Sequence, residues 1–205
     1  MTITLLHTAE IHRATFDRLR DRIAPGLPLH HIMRPEFLSR AQEAMTDSLA
    51  TEITREVQNA PGPVLCTCTT IGPVAEAAGA LRIDAPMMQE AAQTGGAILM
   101  VYCLESTLAP SLALLTRALH TAANPHPARC LPLLHLWPLF AGGEHDGFAR
   151  TIADHIRTHL AQHPDITVIV LAQASMINAA SHLADLPVTV LASPEPALRA
   201  VIARL

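Results

Sequence analysis

The sequence predicts an α/β protein of two pseudo-symmetric lobes, each a roughly four-stranded parallel sheet with flanking helices, and a site in the cleft between them. Short apolar β runs alternate with amphipathic helical stretches, the pattern of parallel sheets covered on both faces. The order of these elements is written twice. The stretch VLCTCTTIGPVA (Val64 to Ala75) superposes on IVLAQASMINAA (Ile169 to Ala180) at a shift of about 105 residues, a period that signals internal duplication. The repeat divides the chain into a first lobe over 1–95 and a second over 96–194, with a final helix over 195–205 free to return to the first.

In the first half the pattern gives a strand at Ile3 to His7, a helix over Ile11 to Arg22 and a strand at Leu29 to Met33. One long helix is expected over Glu36 to Gln58, entered after Pro35 and stopped by Pro61-Gly62-Pro63. A buried strand at Val64 to Thr67, a short helix at Pro73 to Ala78, a strand at Leu81 to Ile83 and a helix at Pro86 to Gln93 complete it, and Gly95-Gly96 marks the join. The second half repeats the order with strands at Ala97 to Cys103, Leu131 to Leu136, Thr167 to Leu171 and Val188 to Leu191. Its helices are expected at Leu108 to Thr121, Phe148 to Gln162, Ser175 to Leu183 and Glu195 to Arg204. Two stretches depart from the repeat: Asn124-Pro-His-Pro127, a turn of restricted backbone, and the glycine-rich Pro138 to Gly147, a connecting loop or a flap.

Composition excludes several kinds of function. Half of the 205 residues are hydrophobic, enough for a real core and too many for a disordered chain. All 14 basic residues are arginine, so Schiff-base chemistry on lysine, a phosphate-loop lysine and a lysine base are excluded. A formal charge of −4 without a basic stripe, and only 3% aromatic residues, argue against a nucleic-acid surface. The N-terminal segment lacks the marks of a signal peptide, and no run reaches the roughly 18 apolar residues of a membrane span; the expectation is a cytoplasmic protein. In that compartment Cys66, Cys68, Cys103 and Cys130 are free thiols. No paired metal-ligand spacing appears: Cys66-Thr-Cys68 is too tight, His30-His31 follows no metal pattern, and His155, His159 and His163 at helical spacing read as a solvated face.

The residues able to carry chemistry gather where apolar β runs end, the place open α/β sheets use for ligands. These are His7-Thr8 and Cys68-Thr69-Thr70 in the first half, and Cys103, Ser106-Thr107, Gln173 and Ser175 in the second. Hydroxyls and free N–H groups at helix starts suit a carboxylate, and the same field is expected to lower the pKa of Cys68. In the repeat register Cys68 faces Gln173: one half offers a thiol and the other an amide. Thr69, Thr70, Ser106, Thr107 and Ser175 also suit ordinary helix N-caps. Cys66 and Cys130 read as structural; Cys103 and His7 fit either a structural or a site role.

The turn Cys68-Thr69-Thr70-Ile71-Gly72 resembles the first-half Cys-Asn-Thr turn of the aspartate/glutamate racemase superfamily, which includes hydantoin racemase, maleate cis-trans isomerase and arylmalonate decarboxylase. Leu171-Ala-Gln173-Ala-Ser175-Met176 stands at the place of that family's second cysteine turn, and Ile83-Asp84-Ala-Pro86 and Leu191-Ala-Ser193-Pro194 look like matching strand-to-helix joins. The resemblance implies a cofactor-independent enzyme without a metal, acting on a small carboxylate and often dimeric, in which two thiols work on opposite faces of a carbon. It casts Cys68 as the first thiol. Gln173 departs from the pattern, since an amide hydrogen-bonds but does not shuttle protons. Three readings follow. His7 or Cys103 serves the second face of a racemase or epimerase; or one thiol suffices for a decarboxylase or cis-trans isomerase; or the protein binds carboxylates without turnover. Cys68, Gln173 and His7 are thus the catalytic candidates, with Thr8, Thr69, Thr70, Cys103, Ser106, Thr107 and Ser175 around the substrate.

Overall fold

A computed structural model describes residues 2–126 and 128–205, and the chain forms two compact units, Met1–Pro86 with Pro194–Leu205, and Met87–Ser193. In chain order the elements are β1 (Ile3–His7), α1 (Ile11–Ile23), β2 (Leu29–Met33), α2 (Pro35–Glu43), α3 (Asp47–Asn59), β3 (Val64–Cys66), α4 (Gly72–Ala77), β4 (Leu81–Arg82) and α5 (Ala85–Thr94). Then follow β5 (Ala97–Tyr102), α6 (Glu105–Thr121), β6 (Ala128–Pro132), a 3₁₀ turn (Leu134–Leu136), α7 (Trp137–Ala141), α8 (His145–Gln162), β7 (Ile166–Leu171), a 3₁₀ segment (Ala174–Leu183), β8 (Thr189–Ala192) and α9 (Pro194–Ile202).

The first unit holds a four-stranded sheet in the order β2-β1-β3-β4, every neighbour parallel. β1 is buried along its whole length because both of its faces are covered. One face supports a core of Leu6, Val64, Cys66, Cys68 and Ile71 under Phe37 of α2 and Leu49, Ile53 and Val57 of α3. α9 packs on α1 and lies against β3 and β4, and Arg22 of α1 pairs with Glu195 of α9 at 2.5 Å.

The long helix expected over Glu36 to Gln58 is two helices. The break falls at Ala44 to Thr46, where Thr46 takes an extended backbone and its hydroxyl accepts the N–H of Leu49, 3.2 Å away. A Thr N-cap restarts the helix at a new angle, so that Leu49, Ile53 and Val57 reach the core while Phe37 is the buried residue of α2. β4 carries a fully buried ion pair: Arg82 binds both oxygens of Asp84 at 2.9 and 2.7 Å. Gly72, at the start of α4, leaves room for that guanidinium, since a Cβ there would stand 3.0 Å from Arg82 Nε.

The second unit repeats the plan with the order β6-β5-β7-β8, again all parallel. β6 lies earlier than its apolar run suggests. It pairs with β5 from Ala128 to Pro132, and the next rung, Leu133 N–H to the Tyr102 carbonyl at 2.8 Å, ends it; the Leu-rich stretch beyond turns as 3₁₀. Cys130 is consequently mid-strand, opposite Met100, and not at a strand start. The segment Pro138 to Gly147 is neither loop nor flap along most of its length, because α7 occupies its start and α8 begins at His145. The helix expected from Ser175 is a 3₁₀ segment. Asn124 forms the expected turn, its Oδ1 accepting the His126 N–H at 3.0 Å, while Pro127 lies outside the described residues. Among the described residues no helix is long and apolar enough to cross a membrane.

Candidate active site

In a sheet ordered 2-1-3-4 the connections leave β1 and β3 in opposite directions, so the crevice beyond their carboxyl ends is the place where a ligand finds open backbone and loop side chains. The first unit places Thr8 and Cys68 there, one and two residues past the ends of β1 and β3. The second unit places Cys103 and Gln173 at the corresponding ends of β5 and β7.

Cys68 belongs to the core face with Leu6 and Cys66, as strand alternation requires. The hydroxyls of Thr8 and Thr70 and the backbone N–H groups of Thr70 and Ile71 surround its sulfur and act to lower its pKa. Such donors favour a thiolate, yet burial outweighs them and pushes the Cys68 thiol above its ordinary pKa. The lowered pKa expected from the helix start is therefore corrected: the thiol is 8% exposed, and the six residues of α4 supply too weak a field to offset that desolvation. Cys66, deeper on the same side, is likewise pushed up by burial and points its thiol at the Cys68 carbonyl, 3.5 Å away. Thr69 is buried, and its carbonyl accepts the Gly72 N–H at 3.2 Å.

His7 is not brought to Cys68. Alternation turns its ring to the opposite face, against Phe16 and His12 of α1, with ring centroids 5.8 and 6.5 Å away. Both ring nitrogens are engaged: Nδ1 lies 2.9 Å from Thr67 Oγ1 and Nε2 lies 2.8 Å from His31 Nδ1. Burial first, then the neighbouring His12, His31 and Arg13, lower its pKa to about 3, so it is neutral in ordinary buffers. Arg34, at the end of β2, is held by Glu56 at 2.5 Å.

Gln173 completes the ladder of the second unit. Its Oε1 accepts the Cys103 N–H at 2.5 Å, one step beyond the last main-chain rung between Ala172 N–H and the Val101 carbonyl. Because the partner is an N–H, the carbonyl side of the amide is fixed, and the NH₂ is left facing the other way with its donors. Cys103 is buried and its thiol is pushed up to about 12 by desolvation, so it stays protonated. The Ser175 hydroxyl is enclosed without a hydrogen-bond partner, and Ser193, at the end of β8, repeats that condition.

Ser106 and Thr107 are not N-caps: α6 starts at Glu105 behind an extended Leu104, which places both inside its first turn, and Thr107 is fully buried. Thr69, Thr70 and Ser175 do not cap either, the N-cap positions being Ile71 and Gln173. A recess of about 450 Å³ lined by Leu160, Ala161, Pro164, Ile166 and Val188 opens at the amino ends of β7 and β8, away from these residues. Among the described residues no group of three or more His, Cys, Asp or Glu is placed to hold a metal ion.

No protein-family model matches the sequence, and no curated protein matches it either. Solved structures do. Glutamate racemase from Francisella tularensis in complex with D-glutamate superposes with a TM-score of 0.70 at 12% identity, over 98% of this chain and 80% of that one. Aspartate racemase from Picrophilus torridus gives 0.71 at 13% identity, over 98% and 92%. The chain has the aspartate/glutamate racemase fold. A glycine-to-cysteine variant of arylmalonate decarboxylase also superposes, with a TM-score of 0.61 at 13% identity over 99% and 92%. The racemase fold explains why two sheets of one topology occur in one chain. At such identities it says nothing of the reaction, which rests on the residues above.

Sequence reasoning missed Thr67, His31 and Asp17. His31 was set aside for lacking a metal spacing, and Thr67 as part of a buried strand. The readable signal was a polar residue on each of three adjacent apolar runs, His7, His31 and Thr67, which only the strand order brings together.

Proposed function

We propose that the protein is a cofactor-independent, thiol-dependent enzyme that moves a proton at the carbon α to a carboxylate or carbonyl of a small acid, with Cys68 as the reacting group. The observation that carries this reading is the place of Cys68 beyond the β1/β3 switch point, among two hydroxyls and two backbone N–H groups that favour its charged form. A cysteine serving only as core filler needs no such partners. They stabilise a thiolate once substrate binding or turnover makes one, and a group alternating between thiol and thiolate is what reversible proton transfer at carbon requires. In this reading Thr69, next to Cys68, binds a substrate oxygen.

One observation favours a runner-up. Burial keeps Cys68 protonated at rest, the form that quenches a carbanion from one side. A one-cysteine decarboxylase or isomerase of a small carboxylate fits this equally in chemistry. Incubation with a panel of small α-substituted acids and dicarboxylates in deuterium oxide separates the readings. Racemisation puts solvent deuterium into both enantiomers, decarboxylation puts it into one product with loss of carbon dioxide, and Cys68→Ala abolishes either. Turnover at the wild-type rate by Cys68→Ala would sink the proposal. Ligand binding without turnover, unaffected by blocking the thiol, would replace it with a carboxylate-binding protein.

A further inference from the structure

His31 comes from the middle of β2, His7 from the end of β1, Thr67 from the residue after β3 and Asp17 from α1, and their side chains form one line. Asp17 Oδ1 lies 3.3 Å from His31 Nε2, His31 Nδ1 lies 2.8 Å from His7 Nε2, and His7 Nδ1 lies 2.9 Å from Thr67 Oγ1. Thr67 Oγ1 in turn lies 3.1 Å from the Leu6 carbonyl. The two imidazoles are nearly coplanar, 16° apart with centroids 5.1 Å apart, an edge-to-edge arrangement that points an N–H of one at the lone pair of the other.

The line has four junctions, yet with both rings neutral it holds only three protons: the Thr67 O–H and one N–H on each ring. Two alignments exist. When all bonds point to Asp17, Thr67 donates to His7 Nδ1, His7 Nε2–H donates to His31, and His31 Nε2–H donates to the carboxylate. The Leu6 carbonyl is still satisfied, because it accepts the Thr67 N–H at 2.9 Å. When all bonds point to Leu6, the His31 Nε2 lone pair faces the carboxylate, an unfavourable contact that one added proton on that nitrogen turns into a charge-assisted bond. One extra proton therefore fills the fourth junction, at the Leu6 carbonyl, and reverses the two bonds that link His31, His7 and Thr67, while the His31–Asp17 bond keeps its direction. His31 gains the charge, His7 exchanges its Nε2–H for an Nδ1–H and stays neutral, and the Thr67 hydroxyl turns to Leu6. Burial comes first at both rings and lowers both pKa values; beyond it, His12, His31 and Arg13 oppose a cation on His7, while Asp17 favours one on His31 against Arg13 and Arg20.

The location gives the line a role. The main-chain pairing of β1 with β3 has its last register pair at Leu6 and Cys66, and the His7–Thr67 bond continues it by one residue. Those two residues immediately precede Thr8 and Cys68. We propose that Asp17, His31, His7 and Thr67 form a one-proton positioning chain that fixes the strand ends carrying Thr8 and Cys68 and reverses its polarity when His31 takes up a proton. This deepens the reading of Cys68 as the reacting thiol and rests on it only for the consequence in catalysis.

Imidazole ¹⁵N shifts of the intact protein across a pH titration test the chain directly. At neutral pH both rings should carry the proton on Nε2; on acidification His31 should become doubly protonated while His7 moves its proton to Nδ1, with one shared midpoint. His7 with an Nδ1–H at neutral pH, or a His7 transition with a midpoint of its own, would overturn the proposal. Asp17→Asn, at the half-exposed end, should move the shared midpoint to lower pH, and an unmoved midpoint also counts against it. Thr67→Val should change the rate of Cys68 alkylation by iodoacetamide several-fold and shift its pH profile, with Thr67→Ser restoring both; a wild-type profile in Thr67→Val refutes the positioning role. Alkylation and ring shifts do not depend on turnover. A Cys68→Ala variant that keeps activity would thus refute the reaction assignment while leaving this test intact.

Discussion

Replacing Gln173 with leucine keeps the side-chain bulk and removes the acceptor of the Cys103 N–H. That N–H sits past the last backbone rung between β5 and β7, beside a cysteine that is 1% exposed, so neither water nor a neighbouring carbonyl stands in for the lost oxygen. An orphaned buried donor costs about 1–3 kcal/mol. For a chain of 205 residues a loss of about 2 kcal/mol lowers the melting temperature by roughly 4–8 °C. Calorimetry reads the total, and amide hydrogen exchange locates it: the Cys103 N–H, protected in the wild type, should exchange much faster in Gln173→Leu while Val101 and Leu171 change little. Gln173→Glu, which keeps an acceptor, should protect the Cys103 N–H again. An unchanged melting temperature together with a still-protected Cys103 amide would show that the Gln173 bond does not hold this strand end, and the assignment of a fixed, outward NH₂ would go with it.

Three further outcomes are expected. Alkylation of Cys68 in the resting protein should be slow near neutrality and rise only above the pH where a free thiol reacts, because burial raises its pKa; Thr8→Val, which removes one donor to the sulfur, should move the profile higher still, and rapid labelling at neutral pH would contradict the burial argument. Arg82→Met should destabilise the protein by about 3–5 kcal/mol, since it removes the guanidinium that binds both oxygens of the fully buried Asp84, whereas Arg82→Met with Asp84→Leu should recover much of the loss; equal melting temperatures for wild type and the single variant would refute this. His7 binds a proton more weakly in the folded state, at about 3 against an ordinary 6.5, so its contribution to stability is complete above pH 6.5 and is lost as pH falls toward 3. Denaturant unfolding of His7→Phe across that range should show a shallower decline than the wild type, and parallel curves would exclude His7 as the source.

Much of the fold was legible because apolar runs bounded by prolines and glycines report burial directly. β1 and β2 fall at their expected residues, and two four-stranded parallel sheets were expected from the repeated order of elements, though not the order of strands within them. The errors arose where a local signal competed with the pattern. Thr46 broke a helix whose apolar spacing runs on, and Pro132 closed β6 although Leu133, Leu134 and Leu136 continue the apolar stretch. In the site, Cys68 and Thr8 were readable from strand ends, whereas the sides to which His7 and Cys68 turn were not, because residues one apart on the pleat differ by a whole face.

The sequence by itself determined the class of sheet, the repeated order of its elements, the absence of lysine chemistry and the short set of strand-end residues from which any mechanism must draw. Tertiary structure decided how those residues are used. Desolvation, which depends on what covers a group, reversed the direction of the Cys68 pKa shift. Strand order, which brings residues 24 and 60 positions away to His7, turned a candidate acid into a neutral link in a hydrogen-bonded line. The amide that looked like a missing thiol became the last rung of a sheet, because a side-chain oxygen reaches an N–H that no backbone carbonyl meets.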